Sequence, residues 1–197
     1  MTEADCILLV RHGETEWNLA RRYQGWGDSP LTARGVAQAE AYGRRLRLLP
    51  AAAEAEIVAS PLGRARRTAE IIRDTLGRAE PLRTDLRLRE ISIGSWDGLD
   101  RKQIAAIAPE MFAGDGRWEW YFSTPDGETY DEFAGRLADF LSDAAGRRLI
   151  VVAHGVVTRV MRGLYAGLPR LAALSLPVPQ DRIFCLAGGA IEEIAVN

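Results

Sequence analysis

The sequence has few of the residues that most often mark a secreted, metal-binding or membrane protein. It contains two cysteines, Cys6 and Cys185, each within a short apolar run, which is too few for a disulfide framework or a cysteine-rich zinc site. The first residues are acidic, and the apolar run Ile7–Val10 is far shorter than a signal-peptide core or a membrane span. These features predict a cytoplasmic protein with buried, reduced thiols and no membrane association.

The charge is almost balanced, with 25 lysines and arginines against 27 aspartates and glutamates and a net charge of −2. Such a chain is not typical of a protein that binds nucleic acid or an anionic membrane. Its 197 residues, 47% of them hydrophobic, are enough for one α/β domain with a sizeable core. Because no repeat and no Pro/Gly/Ser-rich linker divides the chain, we predict a single domain over residues 1–197 with a loop-rich insertion at about 109–128.

Predicted strands and helices alternate along the chain. Continuous apolar runs predict buried strands at residues 6–10, 57–59 and 149–153, with a weaker strand at 82–84 and a terminal hairpin at 183–196. Apolar residues three or four positions apart predict helices at residues 32–49, 60–77, 100–107, 129–141 and 156–166. In the second of these helices, Ser60 is the expected N-cap and Pro61 the first helical residue. Residues 86–93 are expected to be extended. This order predicts an α/β fold, a three-layer α/β/α sandwich with a mostly parallel central sheet.

Polar residues follow several of these strands, at the sheet edge where ligands bind in parallel sheets. Arg11-His12-Gly13 follows the first strand, Ser60 to Arg64 follows the second, and His154-Gly155 follows the strand at 149–153. The chain has only two histidines, and both stand before a glycine at the same predicted edge. One such histidine is usually structural, but the pair favours a functional role. A glycine beside each allows a ligand to approach the backbone closely.

These residue types together suit a compact dianion, and phosphate is the obvious candidate. Arg11 and Arg64 supply two guanidinium groups, and Arg64 lies in the first turn of a helix whose free N–H groups attract anions. A neutral imidazole can attack phosphorus if its second nitrogen donates to a fixed acceptor. The departing alkoxide also needs a proton, and Glu90 can supply it, since a carboxyl beside a dianion tends to stay protonated. A surface ion pair of Glu90 with Arg87 or Arg89 fits the spacing equally well.

Four separately spaced motifs occur in a recognisable order. They are Leu9 to Thr15 with Trp17-Asn18, Gly25, Asp28 and Pro30-Leu31; Ser60 to Ala65 with Thr68-Ala69; Leu88 to Glu90 with Gly94 and Trp96 to Gly98; and Val152 to Gly155. In this order the motifs resemble those of the histidine phosphatase superfamily, also called the phosphoglycerate mutase-like family. The resemblance extends over most of the chain and implies the phosphoglycerate mutase-like fold.

The resemblance also implies a role for each matching residue. His12 matches the residue that is phosphorylated during turnover, with Arg11, Arg64 and His154 around the phosphate, while Glu90 matches the proton donor. Positions that contact the phosphate or substrate in relatives match Asn18, Gln24 and Gly25, and Gly155 is a further expected contact. The implied reaction is covalent catalysis without a metal or other cofactor.

Residues 91–98 and 125–129 are closer to the short phosphatase branch of the family than to cofactor-dependent mutases. One departure is Asp97, where many relatives carry Glu. The resemblance therefore implies a phosphomonoester hydrolase. A cofactor-dependent phosphoglycerate mutase, a non-catalytic relative that binds phosphorylated ligands, and a phosphatase of phosphorylated proteins stay open as alternatives.

The aromatic loop at 109–128 is the expected source of substrate selectivity, because it would cover the pocket. Its Trp118, Trp120 and Tyr121 either bind a ring-shaped leaving group or pack the loop onto the body, and we favour packing. Arg117 is the only positive residue in the loop, which argues against a highly phosphorylated substrate. The expected partner is a small-molecule phosphomonoester; neither its name nor the oligomeric state follows from the motifs.

Overall fold

The computed structural model describes residues 5–112 and 118–196. The described strands are β1 (Cys6–Arg11), β2 (Glu56–Ala59), β3 (Arg83–Thr84), β4 (Arg148–Ala153), β5 (Arg182–Ala187) and β6 (Ala190–Ala195). They form one sheet in the order β3-β2-β4-β1-β5-β6. The first four strands in that order are parallel, whereas β5 is antiparallel to β1 and pairs with β6 as a hairpin.

Helices cover both faces of the sheet. They are α1 (Glu16–Leu19), α2 (Ala33–Arg47), α3 (Gly63–Leu76), α4 (Arg101–Ile107), α5 (Tyr130–Asp143), α6 (Gly155–Tyr165) and α7 (Arg170–Leu174). On one face, Leu8 of β1 packs with residues of α2 and α3, including Tyr42 and Ile72. On the other face, Leu9 packs with residues of α5 and α6. Successive residues of a strand point to opposite faces, and β1 is apolar and buried from Cys6 to Val10 because helices cover both faces. The predicted three-layer sandwich is confirmed.

Helix termini follow the local sequence in most places. The Thr32 side chain accepts a hydrogen bond from the Gly35 N–H at 3.0 Å and starts α2, and Thr129 starts α5 with a capping box. Gly77, at φ 73°, ends α3 in the left-handed conformation that favours glycine. The predicted start of α3 was wrong: the helix begins at Gly63 after the N-cap residue Leu62, and the Ser60 hydroxyl group contacts Leu62 N–H and His154 ahead of the helix.

Two other local predictions need correction. Residues 86–93 are not a strand: Leu86–Leu88 form a 3₁₀ turn, because the Asp85 side chain accepts a hydrogen bond from the Arg87 N–H. Cys6 is buried as predicted, but Cys185 is only half-buried. The short helices α1 and α7 were not predicted. No helix in the two described ranges is long and apolar enough to cross a membrane.

The predicted loop-rich segment contains two 3₁₀ turns, Pro109–Phe112 and Glu119–Phe122. Residues 113–117, including Arg117, lie outside the described residues, as does the acidic start at residues 1–4. Trp120 is 2% exposed and packs into the core, in agreement with the expected packing role. Trp118 and Tyr121 are half-buried and contribute to the site described below.

Candidate active site

The two histidines lie side by side because β1 and β4 are parallel neighbours in matched register. Arg11 pairs with Ala153, and the His12 N–H donates to the Ala153 carbonyl oxygen at 2.9 Å. Each histidine is therefore the first residue after its strand, at the same edge of the sheet. Their ring centroids are 5.3 Å apart, with an interplanar angle of 58°.

A cavity of about 310 Å³ opens at this edge. Eight of the nine residues proposed from the sequence line it: Arg11, His12, Asn18, Gln24, Gly25, Arg64, Glu90 and Gly155. The ninth, His154, does not line the cavity; it is fully buried and contacts the His12 ring. Segments far apart in the sequence thus converge on one site.

His12 has the geometry of a neutral nucleophile. Its Nδ1 atom lies 2.7 Å from the Gly13 carbonyl oxygen, which can only accept, so Nδ1 carries the proton and Nε2 keeps its lone pair. Burial, reinforced by the charges of Arg64 and Arg11, lowers the pKa of His12 well below its ordinary value. Gly13 itself is tightly enclosed, because a Cβ there would lie 2.3 Å from the Gly35 carbonyl oxygen.

The Ser60 hydroxyl group contacts the buried ring of His154. The Ser60 hydroxyl oxygen accepts a hydrogen bond from the Leu62 N–H at 3.3 Å and lies 2.7 Å from His154 Nε2. The other ring nitrogen, Nδ1, is buried with no partner among the described residues. Burial and the Arg64 charge lower the pKa of His154 well below its ordinary value. His154 is thus a neutral ring beside His12.

Arg11 is positioned by a backbone carbonyl group, and Arg64 by two such groups and by an ion pair with the Asp28 carboxylate at 3.2 Å. Arg11 Nη1 donates to the Val178 carbonyl oxygen at 2.6 Å. The Arg64 guanidinium donates to the carbonyl oxygens of Gly25 at 2.9 Å and Gly27 at 2.7 Å. The Nε atoms of both arginines are buried without a partner among the described residues. Because buried donors are normally paired, these orphaned N–H groups indicate a site built for an anion.

The loop that holds Arg64 is itself held by Asp97. The Asp97 carboxylate accepts hydrogen bonds from the N–H groups of Trp26 at 3.1 Å and Gly27 at 2.9 Å. Gly25 adopts φ 49°, and a Cβ at this position would lie 1.9 Å from Asp97 Oδ1. Burial raises the pKa of Asp97, against the effect of these hydrogen bonds. Asp97 thus shapes the loop whose carbonyl groups orient the Arg64 guanidinium.

Glu90 is anchored at the N-terminus of α6, which begins beside His154. Its carboxylate accepts hydrogen bonds from the N–H groups of Val156 at 3.1 Å and Val157 at 3.3 Å. No ion pair in the described part of the chain joins Glu90 to Arg87, which pairs with Asp85 and Asp143, or to Arg89. The surface ion-pair interpretation is therefore wrong, and Glu90 faces the cavity.

Asn18 and Gln24 are fixed by the same residue, Thr15. The Asn18 side-chain oxygen accepts a hydrogen bond from the Thr15 N–H at 3.3 Å, as part of the capping box of α1. The Gln24 amide donates to the Thr15 hydroxyl at 2.8 Å. Both side chains reach the cavity in defined orientations.

Sequence reasoning missed several lining residues, above all Arg21, Arg22 and Arg159. The expectation about substrate charge considered only residues 109–128, whereas these arginines follow α1 or lie on α6. Arg159 had a usable signal, because it stands four residues after Gly155 and so shares its helix face. Among the described residues, no cluster of three or more His, Cys, Asp or Glu side chains has the arrangement of a metal site.

The histidine geometry predicts the ring protonation directly. We expect ¹⁵N NMR of the imidazoles to show two neutral rings from about pH 8 down to about pH 6, with the His12 ring protonated on Nδ1, although a free histidine titrates at about 6.5. The chain has only two histidines, so the spectrum of the His12→Ala variant identifies each signal. A titration midpoint near pH 6.5 for either ring would contradict this geometry.

Comparison with known proteins places the fold and the motifs in a family. The histidine phosphatase superfamily (branch 1) matches residues 7–187. A relative from Klebsiella pneumoniae subsp. pneumoniae, named "Probable phosphoglycerate mutase GpmB", is 40% identical over 176 residues, which are 84% of this chain and 77% of the relative.

Solved structures are similar over nearly the whole chain. Bacillus stearothermophilus YhfR has a TM-score of 0.83 and 32% sequence identity, with 98% of this chain and 96% of that chain covered. A mycobacterial glucosyl-3-phosphoglycerate phosphatase, Rv2419c, solved with VO3, has a TM-score of 0.74 and 28% identity, with 98% and 97% covered.

Proposed function

The chain belongs to the histidine phosphatase superfamily (branch 1), and we propose that it is a metal-independent phosphomonoester hydrolase that acts through a phosphohistidine on His12. The family and the neighbouring structures indicate a phosphatase or a mutase. The observation that carries the proposal is the free Nε2 of a neutral His12 in a cavity with the orphaned Nε atoms of Arg11 and Arg64.

In the first step, His12 Nε2 attacks the phosphorus atom while the bond from phosphorus to the ester oxygen breaks. The Gly13 carbonyl oxygen accepts from Nδ1–H and stabilises the ring as it becomes positively charged. Arg11 and Arg64 stabilise the charge spread over the three non-bridging oxygens, while the His154 ring packs against His12. Glu90 gives its proton to the leaving oxygen, which departs as an alcohol.

In the second step, water attacks the phosphohistidine. The Glu90 carboxylate accepts a proton from that water as the new oxygen–phosphorus bond forms, and His12 Nε2 regains its lone pair. Inorganic phosphate leaves, and both His12 and Glu90 return to their starting protonation states. The N–H groups of Val156 and Val157, which donate to Glu90, hold the carboxyl group for both proton transfers.

Hydrolysis and mutase activity share the first step and differ in the acceptor of the phosphoryl group. We favour water as the acceptor, because the matches at residues 91–98 and 125–129 lie with the short phosphatases. The mycobacterial neighbour, named a glucosyl-3-phosphoglycerate phosphatase, supports this choice. The name of the Klebsiella pneumoniae relative supports a mutase instead, so a phosphoglycerate mutase is the second candidate.

One pair of assays separates the two candidates. We expect phosphate release from p-nitrophenyl phosphate to continue in excess EDTA, because the proposed mechanism needs no metal. With 3-phosphoglycerate and catalytic 2,3-bisphosphoglycerate, we expect little 2-phosphoglycerate. The two assays report the released phosphate and the isomerised product separately.

The His12→Ala variant serves as the control for contaminating phosphatases. Efficient formation of 2-phosphoglycerate would establish the mutase instead. A strict requirement for an added divalent metal would contradict the mechanism proposed for either candidate.

A further inference from the structure

The peptide group between His12 and Gly13 is held from two sides by side chains that take no part in the proposed reaction. The Gly13 N–H donates to the Thr68 hydroxyl oxygen at 3.1 Å, and the His12 carbonyl oxygen accepts from the Gln180 side-chain amide at 2.9 Å. Thr68 and Gln180 follow these residues by 55 and 168 positions, so distant parts of the chain meet at one peptide group. Neither belongs to the described residues that line the cavity.

The orientation of this peptide group affects the nucleophile. Rotation of the group changes ψ of His12 and φ of Gly13, and both angles set where the Gly13 carbonyl oxygen lies relative to the imidazole. That oxygen lies 2.7 Å from His12 Nδ1 and accepts its proton. Because glycine permits a wide range of φ, the surrounding contacts have to fix the position of this acceptor.

Thr68 is fully buried in α3 and offers an acceptor to Gly13. Its hydroxyl group donates to the Arg64 carbonyl oxygen, in the preceding turn of the helix, at 2.8 Å. A hydroxyl group has one proton, so this bond leaves the oxygen as an acceptor, which the Gly13 N–H requires. The contact therefore ties Gly13 to the helix that carries Arg64.

Gln180 belongs to residues 176–180, a loop segment with prolines at 177 and 179. Three successive carbonyl oxygens of this segment accept hydrogen bonds from arginines: Leu176 from Arg159 at 2.7 Å, Pro177 from Arg162 at 2.5 Å and Val178 from Arg11 at 2.6 Å. The prolines also restrict the backbone. The Gln180 amide is thus carried by a segment whose position is fixed.

We infer that Thr68 and Gln180 are positioning residues that together fix the His12–Gly13 peptide group, so that the Gly13 carbonyl oxygen keeps the His12 proton on Nδ1. The inference rests on the proposed function, in which the unprotonated Nε2 attacks phosphorus. A misplacement of about 1 Å at a reacting atom can cost about 10²-fold in rate. Because either contact alone still restrains the peptide group, losing both should have the larger effect.

Thr68→Val and Gln180→Met remove the two contacts and keep the size of each side chain. We expect each change to lower kcat/KM for p-nitrophenyl phosphate by about three- to tenfold, the scale of one neutral hydrogen bond. The double variant should lose more than the product of the two single losses. The same fall, within about twofold, is expected for 3-hydroxypropyl phosphate, because proton donation by Glu90 is not changed.

¹⁵N NMR of the His12 ring separates positioning from a general structural role. In the wild-type chain the neutral ring should be protonated on Nδ1, as its bond to the Gly13 carbonyl oxygen requires. In the double variant we expect a measurable fraction of rings protonated on Nε2. The thermal midpoint is measured on the same samples. If Thr68→Val does not fold, Gln180→Met, at a half-buried position, tests the inference by the same measurements.

The chain offers a matched control for each change. Thr75 also lies in α3, and its hydroxyl group donates to the Ile71 carbonyl oxygen at 2.7 Å, the same bond to the preceding turn that Thr68 makes. The Gln103 side chain accepts from the Asp100 N–H at 2.9 Å, at the start of α4. Neither residue lines the cavity. Thr75→Val and Gln103→Met should leave both kcat/KM and the His12 ring signal unchanged.

Three results would overturn the inference. The first is wild-type kcat/KM in the double variant, and the second is a lower thermal midpoint with an unchanged ring signal, which would indicate a structural role only. The third is a double variant whose loss equals the product of the single losses, since the two contacts would then act independently. Phosphate release by the wild-type chain would leave the hydrolase intact in each case. A wild-type chain that releases none would refute the hydrolase, and the ring signal would still test the positioning.

Discussion

Replacement of His12 by alanine is expected to reduce phosphate release from p-nitrophenyl phosphate by about four orders of magnitude or more, because the covalent step loses its nucleophile. In the wild-type chain, acid-free quenching with ³²P-labelled substrate should trap a label that is stable in base and labile in acid, as expected of phosphohistidine. Peptide mapping should locate the label at His12. The variant should carry none.

The second histidine makes this experiment specific. The rings are 5.3 Å apart, so either imidazole lies near a phosphate in the cavity. Only His12 lines the cavity, however, and its Nε2 is unprotonated. His154→Ala should therefore still label His12, although more slowly. Label on His154, or any label in the His12→Ala chain, would show that His12 is not the nucleophile.

The fold should survive the loss of His12. Among the described residues, the side chain packs against the His154 ring and hydrogen-bonds only to the Gly13 carbonyl oxygen, while the backbone of His12 keeps its bond to Ala153. Near-UV circular dichroism and the thermal midpoint of the variant should resemble those of the wild type. If the variant loses its folded signal, its low activity cannot identify the nucleophile. The position of the label in the His154→Ala chain then identifies it.

Replacement of Glu90 by glutamine is expected to affect substrates according to their leaving groups. For an alkyl ester such as 3-hydroxypropyl phosphate, kcat/KM should fall by about 10²- to 10⁴-fold, because the departing alkoxide needs a proton. For p-nitrophenyl phosphate, whose leaving group is stable as an anion, the fall should be less than about tenfold. Glutamine retains one of the two acceptor oxygens, so one of the Val156 and Val157 N–H groups loses its acceptor, and the thermal midpoint of the variant should be measured alongside its activity.

Glu128→Gln is the matched control for this experiment. Glu128 is another carboxylate in the same region, accepts from the Ser92 N–H and pairs with Arg136, which in turn donates to the Glu90 carbonyl oxygen. It does not line the cavity, so the change should affect both esters equally. Equal losses for the two esters in Glu90→Gln would show that Glu90 positions other groups and donates no proton.

Much of the fold was accessible from the sequence because its signals are local and periodic. The strand at Cys6–Arg11 is apolar at every core position, and the capping residues Thr32 and Thr129 mark where α2 and α5 begin. The predicted start of α3 failed for a physical reason. Serine is a common N-cap residue, but the Ser60 hydroxyl group contacts a histidine 94 residues away. No local sequence pattern predicts such a contact.

Most of the candidate site residues could also be predicted from the sequence. His12 and Arg64 were proposed because each follows a predicted strand at the ligand-binding edge, and Glu90 because the leaving group needs a proton; the resemblance to the family then implied the same residues. Arg159 was not, because its place in the cavity comes from its contacts with Trp118 and Leu176, which only the folded chain brings together. Selectivity therefore has to be argued from tertiary structure, even where the reaction class follows from motifs.

The parallel ladder between β1 and β4 sets the separation of the two imidazoles through the backbone. Since side chains alternate between faces, a slip of one residue in the pairing of Arg11 with Ala153 would turn one ring to the opposite side of the sheet. Core substitutions that keep this pairing therefore leave the distance between the two rings unchanged. An insertion or deletion within either strand separates the rings. Natural or engineered length changes in this protein should accordingly be tolerated in its surface loops and excluded from these two strands.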